Sequence, residues 1–244
     1  MVVAGEASGD MHAAALVQAL KRIEPKYRYY GVGGEKLREE GVEIVADSAA
    51  MAVVGLTEVF LKMPSIIKVM NRLTRSFQEK KPAAVILVDY PDFNLVLARK
   101  AHARGIKVFY YISPQIWAWR KGRIKTIRHN VDKLAVILPF EALIYRSAGV
   151  DAEYVGHPLL DMIPPPSTQE EARERLGLRA GVITISLLPG SRPSEVSRLL
   201  PVCLQAAQIM QQQQQQQDLQ FIMPLASTLS RDFVESITNR YNLK

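Results

Sequence analysis

One segment sets the architecture that the rest of this chain must adopt: VILVDYPDFN, from Val85 to Asn94. It opens with four apolar residues, most of them β-branched, which is the pattern of a strand buried on both faces of a parallel sheet. The strand must end near Pro91, because proline has no N–H to donate to a sheet ladder. Open α/β sheets bind ligands at the carboxyl ends of their strands, so Asp89 lies where we expect chemistry. An acid at this position could equally cap the next helix or pair with a base, and the residues alone leave these alternatives open.

Composition indicates a soluble globular protein of one large or two ordinary domains, with 244 residues, 48% hydrophobic and 23% charged. Lysine and arginine number 31 against 24 acids, and this excess favours an anionic partner: nucleic acid, a phosphorylated small molecule or an acidic membrane surface. The single cysteine excludes an internal disulfide and fits a reducing compartment. The sequence has no apolar run long enough to span a bilayer and does not open with a signal-peptide pattern, so we expect a cytoplasmic location.

Short apolar runs alternate with helical patterns, which predicts βαβ units and a doubly wound parallel sheet of the α/β class. The predicted strands are Val2–Gly5, Arg28–Val32, Ala84–Val88, Lys107–Ile112, Leu134–Leu138 and Glu153–Val155. The predicted helices are Asp10–Ile23, Ser65–Glu79, Leu95–Arg104, Arg120–Asn130 and Glu141–Ala148.

A second domain begins after a stiff link of three prolines, residues 164–166. Ser167 and Glu170 predict a capping box for a helix, and βα units then follow from Val182–Leu188, with a helix from Ser194 and a strand near Leu219–Met223. We therefore assign residues 1–160 to an N-terminal domain, 161–181 to a linker with a capped helix, and 182–244 to the start of a second domain. Only about 65 residues remain after this boundary, against roughly 100–150 for an independent domain, so we expect the natural chain to continue past Lys244.

Two segments in the first half carry candidate functional residues. AGEASGD, from Ala4 to Asp10, joins a strand to a helix whose first N–H groups could bind an anion. The same pattern is explained as well by Ser8 or Asp10 acting as the helix cap.

Leu56–Phe77 has apolar residues every three or four positions and several lysines and arginines, and Pro64 predicts a division into two helices. Such a basic amphipathic segment suits an anionic membrane surface, or packs its apolar stripe on the sheet.

Three later segments are also candidates. ISPQIWAWR places Trp117 and Trp119, the only tryptophans, before a basic helix that suits phosphate or, with stacking aromatics, RNA. VGHPLLD contains His157, which predicts either a base or an interdomain hinge. LLPGSRPSEV turns at Gly190-Ser191 and places Arg192 at the amino end of a helix, which predicts an anion site.

The five segments AGEASGD, VDYPDFN, SPQIWAWR, VGHPLLD and LLPGSR, in this order, resemble the lipid-A-disaccharide synthases, glycosyltransferases of family 19. The resemblance covers about residues 1–200 and implies the GT-B fold, with an acceptor-side Rossmann-like N-terminal domain and a nucleotide-sugar-binding Rossmann-like second domain that is truncated here. It implies an inverting transfer of 2,3-diacylglucosamine from UDP to 2,3-diacylglucosamine 1-phosphate, which releases UDP in lipid A biosynthesis. We expect no cofactor, and no metal because the histidines show no metal-ligand spacing.

The resemblance and the residue patterns together assign roles. Asp89 is the general base for the acceptor hydroxyl. Eleven residues are expected to contact substrate: Glu6, Ser8, Gly9, Asp10, Asn94, Trp117, Arg120, His157, Gly190, Ser191 and Arg192. Six are expected to form an acyl-binding or membrane-docking patch: Val59, Phe60, Leu61, Met63, Ile66 and Ile67.

The expected partners follow from that reaction. They are a UDP-diacylglucosamine donor, a diacylglucosamine 1-phosphate acceptor and the anionic surface of the inner membrane, where the protein would associate peripherally. The resemblance implies no nucleic acid and leaves room for a homodimer. Two other interpretations stay open at this point: a GT-B transferase acting on another UDP-sugar, and a basic lipid- or nucleic-acid-binding module without activity.

Overall fold

The structure, a computed structural model, describes residues 1–51, 56–118, 120–165, 167–213, 218–226 and 228–241, and the side chains of residues 50 and 56–62 lie outside that description. The chain divides into two compact units, Met1–Ile163 and Pro164–Lys244. Each unit is described by itself.

The first unit is built on a seven-stranded sheet with the strand order β3-β2-β1-β4-β5-β6-β7, in which every neighbouring pair is parallel. The strands are β1 (Val2–Ala4), β2 (Tyr30–Gly33), β3 (Glu43–Asp47), β4 (Ala84–Val88), β5 (Lys107–Tyr111), β6 (Lys133–Val136) and β7 (Ala152–Tyr154). The order reverses between β1 and β4, so the ligand crevice of a doubly wound sheet is expected beyond the carboxyl ends of these two strands.

Helices cover both faces of this sheet, which confirms the predicted doubly wound α/β class. They are α1 (Ala7–Ile23), α2 (Glu35–Glu39), α3 (Leu56–Glu79), α4 (Pro91–His102), α5 (Arg123–Asn130), α6 (Pro139–Ser147) and α7 (Leu159–Met162). Successive residues of a strand point to opposite faces, and β1 shows the result. Val2 and Ala4 pack with α1 and α2, whereas Val3 belongs to the larger apolar layer formed with α3 to α6.

The second unit contains two βα units. Strand β8 (Ile183–Ser186) pairs in parallel with β9 (Leu219–Ile222), and the helices are α8 (Gln169–Arg175), α9 (Pro193–Gln213) and α10 (Arg231–Thr238). Helices α9 and α10 pack together through a small buried cluster: Val196, Leu200, Leu204, Val234 and Ile237. These two parallel βα units agree with the strands and the helix predicted for residues 182–223.

Some elements differ from the sequence expectation. Strand β3 was missed because it is a short edge strand with charged ends, only partly buried, which weakens the apolar signal. Pro64 does not divide α3, which is continuous, because a proline removes only one backbone hydrogen bond and the turns on either side continue the helix. The capping box lies one residue later than predicted, between Thr168 and Glu171.

Within the described ranges, no helix has both the length and the apolarity needed to cross a bilayer.

Candidate active site

The loops after β1 and β4 lie side by side at the switch point of the sheet. Ala4 pairs with Val88, so the residues that follow them, Gly5-Glu6 and Asp89-Tyr90, leave adjacent strands at the same edge. The Asp89 side chain is half-buried. The N-cap residue of α4 is Tyr90, whose side chain makes no cap hydrogen bond.

Several residues at this edge of the sheet have an unusual backbone conformation. Asp89 and Tyr90 both have φ of +48°, in the left-handed region that residues with side chains seldom adopt. Ile112, directly after neighbouring β5, has φ of +63°, although its β-branched side chain disfavours that region strongly. Arg120, in the loop that follows, has φ of +53°. Strained residues of this kind cluster at functional sites, where the surrounding structure holds them in place.

Two buried side chains hold the backbone of Asp89. The Tyr110 hydroxyl donates to the Asp89 carbonyl oxygen at 2.7 Å, and the Asn94 Nδ2 donates to the same oxygen at 2.7 Å. Burial, and then the nearby Asp89 charge, raises the pKa of Tyr110 well above its usual value, so its hydroxyl remains a donor. Sequence reasoning missed Tyr110, because an apolar strand pattern gives no sign that one tyrosine reaches a loop carbonyl.

Asn94 therefore differs from its predicted role. Its side chain is fully buried and its Nδ2 lies within hydrogen-bonding distance of the backbone oxygens of Asp89, Val88 and Val3. It contacts the protein backbone, and in this structure it is not accessible to a substrate.

Asp10 also differs from its predicted role. Its carboxylate is buried and accepts hydrogen bonds from the backbone N–H groups of Gly34 at 2.6 Å, Lys36 at 3.0 Å and Leu37 at 3.4 Å. These groups lie at the start of α2, so the oxygens satisfy helix donors that would otherwise lack partners. Gly33 and Gly34 permit the approach, because a Cβ on either would come within 3.0 Å of an Asp10 oxygen.

The other predicted contacts of this segment lie at the start of α1. Glu6 is the N-cap residue of α1 without a side-chain cap bond and is half-buried, whereas Ser8 in the first turn is exposed. Gly9 is buried, but a Cβ there would meet only ordinary contacts, at 3.6 Å from the Ala4 Cβ and 3.7 Å from the Val88 oxygen. Glu6 and Ser8 thus remain the accessible candidates at the start of α1.

Tyr90 connects three loops at this edge. Its hydroxyl donates to the Met51 carbonyl at 2.9 Å, and its ring fills the space beside Gly5, where a Cβ would lie 2.3 Å from the ring. Burial, followed by the negative charges of Glu6 and Asp92, raises the pKa of Tyr90. Gly5 is therefore required for the close approach of this ring, which sequence reasoning did not anticipate.

Trp117 lies on the loop after β5 with 40% of its surface exposed. Its indole Nε1 donates to Glu141 Oε1 at 3.1 Å, and its ring meets Phe140 edge-on with the centroids 5.2 Å apart. Glu141 is buried in the first turn of α6, where its other oxygen accepts from the Leu138 N–H. Trp119 lies outside the described residues.

Arg120 has its charge balanced within the chain. It forms an ion pair with Asp92 at 2.6 Å, and Arg123 contacts the same carboxylate oxygen. Arg120 is 52% exposed and Asp92 70% exposed, so the pair lies on the surface and is open to a ligand. Asp92, the other acid of this segment, therefore pairs with two arginines.

His157 follows β7 and lies near His12 of α1. The His157 Nδ1 accepts from the Leu159 N–H at 3.3 Å. His12 is buried with its Nδ1 unpaired, and the pKa of His12 is lowered by burial and by the charge of His157. Sequence spacing gave no reason to connect these two histidines.

The predicted anion site of the second unit already contains a carboxylate. Glu195 Oε2 accepts from the backbone N–H groups of Ser191 at 3.2 Å and Arg192 at 3.3 Å, and Glu195 Oε1 pairs with the Arg192 guanidinium at 3.2 Å. These donors lower the pKa of Glu195. Gly190, with φ of +117°, permits this turn, because a Cβ there would lie 2.6 Å from Glu195 Oε2.

The predicted apolar patch is described only in part. Met63 and Ile67 on α3 are 39% and 52% exposed, whereas Ile66 packs against the core. Val59, Phe60 and Leu61 lie among the side chains outside the description.

Among the described residues, no group of three or more His, Cys, Asp or Glu side chains is arranged to hold a metal ion.

Together, the sheet and its edge define a Rossmann-like α/β protein with a strained acidic loop at the switch point. A model of the lipid-A-disaccharide synthetase family matches residues 1–244, and the chain belongs to this family. It is 55% identical over 235 residues to a lipid-A-disaccharide synthase of Syntrophus aciditrophicus, covering 96% of this chain and 61% of that protein. It is 48% identical over 241 residues to that of Myxococcus xanthus, covering 99% and 62%. The chain thus spans about three fifths of the length of these relatives.

The fold also resembles that of a solved structure of different sequence. The UDP-GlcNAc 2-epimerase from Neisseria meningitidis, bound to UDP-GlcNAc, superimposes with a TM-score of 0.61 at 11% identity, covering 99% of this chain and 70% of that one. At this level of identity the likeness concerns the fold alone.

Proposed function

We propose that the chain is part of a glycosyltransferase that joins UDP-2,3-diacylglucosamine to 2,3-diacylglucosamine 1-phosphate and releases UDP. The observation that carries the proposal is Asp89, a half-buried carboxylate held in a strained conformation at the switch point of the sheet, in a chain of the lipid-A-disaccharide synthetase family. A base at this edge is accessible to a ligand, as general-base chemistry requires.

In the proposed reaction, a hydroxyl oxygen of the acceptor attacks the anomeric carbon of the donor sugar. A new glycosidic bond forms while the bond from that carbon to the diphosphate oxygen breaks, so the configuration inverts. Asp89 accepts the hydroxyl proton, and the bonding electron pair leaves with UDP. One well-placed base contributes typically about 10²–10⁴-fold to the rate.

The other proposed contacts divide between the two units. Glu6, Ser8, Trp117, Arg120 and His157 belong to the first unit, at the loops that carry the acceptor in this proposal. Gly9 lies beside Ser8 in the first turn of α1. In the second unit, Arg192 and the Gly190-Ser191 turn would bind the leaving diphosphate in exchange for the Glu195 carboxylate.

The acyl chains of both substrates require the enzyme to work at a membrane face. We propose peripheral association with the inner membrane through the apolar side of α3, for which the exposure of Met63 and Ile67 is the supporting observation. The net charge of +7 would favour an anionic lipid surface.

The test measures transfer by the complete polypeptide that contains this chain, with the two lipid substrates in mixed micelles. Asp89→Asn should keep the fold, judged by circular dichroism and thermal midpoint, and should lower kcat by about 10²-fold or more. Retention of more than a tenth of the wild-type rate would remove Asp89 from the role of base. Wild-type turnover of non-acylated UDP-sugars as fast as the acylated donor would contradict the proposed substrate class.

A further inference from the structure

Two buried polar side chains converge on one backbone oxygen at this edge, and the proposed reaction uses neither of them. Tyr110, on β5, and Asn94, in the first turns of α4, each donate a hydrogen bond of 2.7 Å to the Asp89 carbonyl. A carbonyl oxygen has two lone pairs, so both are engaged. Tyr110 and Asn94 are both fully buried, which places these bonds out of water.

Hydrogen bonds fix both peptide groups of Asp89. The Asp89 N–H donates to the Tyr111 carbonyl at 3.1 Å, which extends the pairing of β4 with β5 by one residue. The Asp89 carbonyl is held by Tyr110 and Asn94. With both peptide groups fixed, the left-handed φ of Asp89 is fixed too, and this sets the direction in which its Cα–Cβ bond points.

Two energetically unfavourable features accompany these hydrogen bonds to Asp89, and they indicate that the bonds do more than pack the core. Asn94 Oδ1 is buried without a hydrogen-bond partner, which is unfavourable for an amide oxygen. Asp89 and Tyr90 are successive left-handed residues, a conformation that persists only where neighbouring groups over-determine it. A packing role alone would need neither the strained backbone nor the unpaired amide oxygen.

We propose that Asn94 and Tyr110 are positioning residues that aim the Asp89 carboxylate at the acceptor hydroxyl. The proposal rests on the proposed function, in which Asp89 is the base. Neither residue touches the reacting atoms, and no bond is made or broken at their side chains. They act by holding the backbone from which the base projects.

The test uses the complete polypeptide and the same transfer assay. Tyr110→Phe removes one hydroxyl without changing the shape of the ring, and Asn94→Ser removes the amide donor. Each variant should lower kcat by about tenfold or more, since small misplacements of a reacting group are costly, while KM for both substrates stays within about twofold.

Tyr145→Phe is the matched control. Tyr145 is also fully buried, and its hydroxyl donates at 2.6 Å to the carbonyl of Pro114 rather than to that of Asp89. Tyr145→Phe should lower the thermal midpoint about as much as Tyr110→Phe and leave kcat near the wild-type value. A kcat loss in Tyr110→Phe no larger than that in Tyr145→Phe would overturn the positioning role.

The two proposals fail in different ways. An active Asp89→Asn variant overturns the proposed function and the positioning role together. An inactive Asp89→Asn with a fully active Tyr110→Phe overturns the positioning role alone. If Asn94→Ser does not fold, Tyr110→Phe decides the question, because phenylalanine fills the same volume.

Discussion

The indole N–H of Trp117 donates a 3.1 Å hydrogen bond to Glu141, a carboxylate that is only 1% exposed. The same carboxylate also accepts from the Leu138 N–H, so one buried side chain fixes both an exposed aromatic ring and the first turn of α6. The ring that it holds lies on the loop after β5, beside the strained edge of the sheet. A buried acid is costly unless its oxygens are paired, and here both are.

Removal of this carboxylate should therefore loosen the ring. In a Trp119→Phe background, where Trp117 is the only tryptophan, Glu141→Ala should shift the emission of Trp117 to longer wavelength and lower the free energy of unfolding by about 1–3 kcal/mol. Urea titration and the emission spectrum measure the two effects. Glu170→Ala, an exposed first-turn glutamate of α8, should change neither. Equal emission shifts in Glu141→Ala and Glu170→Ala would show that the hydrogen bond from Trp117 to Glu141 does not hold the indole ring.

Gly5, in the β1–α1 loop, and Gly9, in the first turn of α1, should respond differently to alanine. In Gly5→Ala the new methyl would lie 2.3 Å from the Tyr90 ring, so the ring must move, and we expect a loss of about 1–3 kcal/mol in urea titration. In Gly9→Ala the methyl meets neighbours at 3.6 Å or more, and the helical position should gain up to about 1 kcal/mol. A loss in Gly9→Ala as large as that in Gly5→Ala would contradict the geometry.

His12 should make the stability depend on pH. Its pKa is lowered in the folded state by burial and by the His157 charge, so the unfolded chain binds the proton more readily. The stability contributed by neutral His12 is present above the unfolded pKa of about 6.5 and is lost as the pH falls below it. His12→Gln should flatten that decline, measured by urea titration at successive pH values. His102→Gln, at an exposed position of α4, should keep the wild-type slope, and a slope changed equally by both would refute the assignment.

The exposed apolar residues of α3 should contribute to membrane binding. The double variant Met63→Ser, Ile67→Ser should reduce cosedimentation with vesicles that contain anionic lipid, without a change in thermal midpoint, because both side chains are exposed. Ile23→Ser removes an isoleucine that is 81% exposed on α1 and serves as the matched control. Unchanged binding by the α3 variant, or an equal loss in the control, would remove the docking role.

Glu195 should weaken the binding of UDP. Its carboxylate occupies the backbone donors of Ser191 and Arg192 that a diphosphate would need. Replacement by neutral glutamine removes a like charge near that position, so Glu195→Gln should lower the Kd for UDP several-fold in calorimetry on the complete polypeptide. Glu235→Gln, in an exposed ion pair of α10, is the control and should leave the Kd unchanged. A weaker affinity in Glu195→Gln would mean that the carboxylate supports the loop.

The general fold followed from local patterns. The buried run before Asp89, its break at Pro91 and the alternation of runs with helical patterns are properties of short segments, and they predicted the doubly wound parallel sheet. Strand β3 escaped prediction because an edge strand with polar ends buries too little apolar surface to stand out from a loop. The predicted break at Pro64 was wrong because the helical turns on either side of the proline outweigh its low helix propensity.

The sequence by itself determined that an acid ends a buried strand at the ligand-binding edge of an α/β sheet, because apolar runs and prolines act within a few residues. Only the tertiary structure decided what surrounds that acid. Tyr110 reaches Asp89 from 21 positions away, and Asp10 reaches the start of α2 from 24 positions away. The buried Asn94 amide likewise donates to the Asp89 carbonyl oxygen. Such contacts depend on which strands become neighbours, and side-chain spacing along the chain does not encode them.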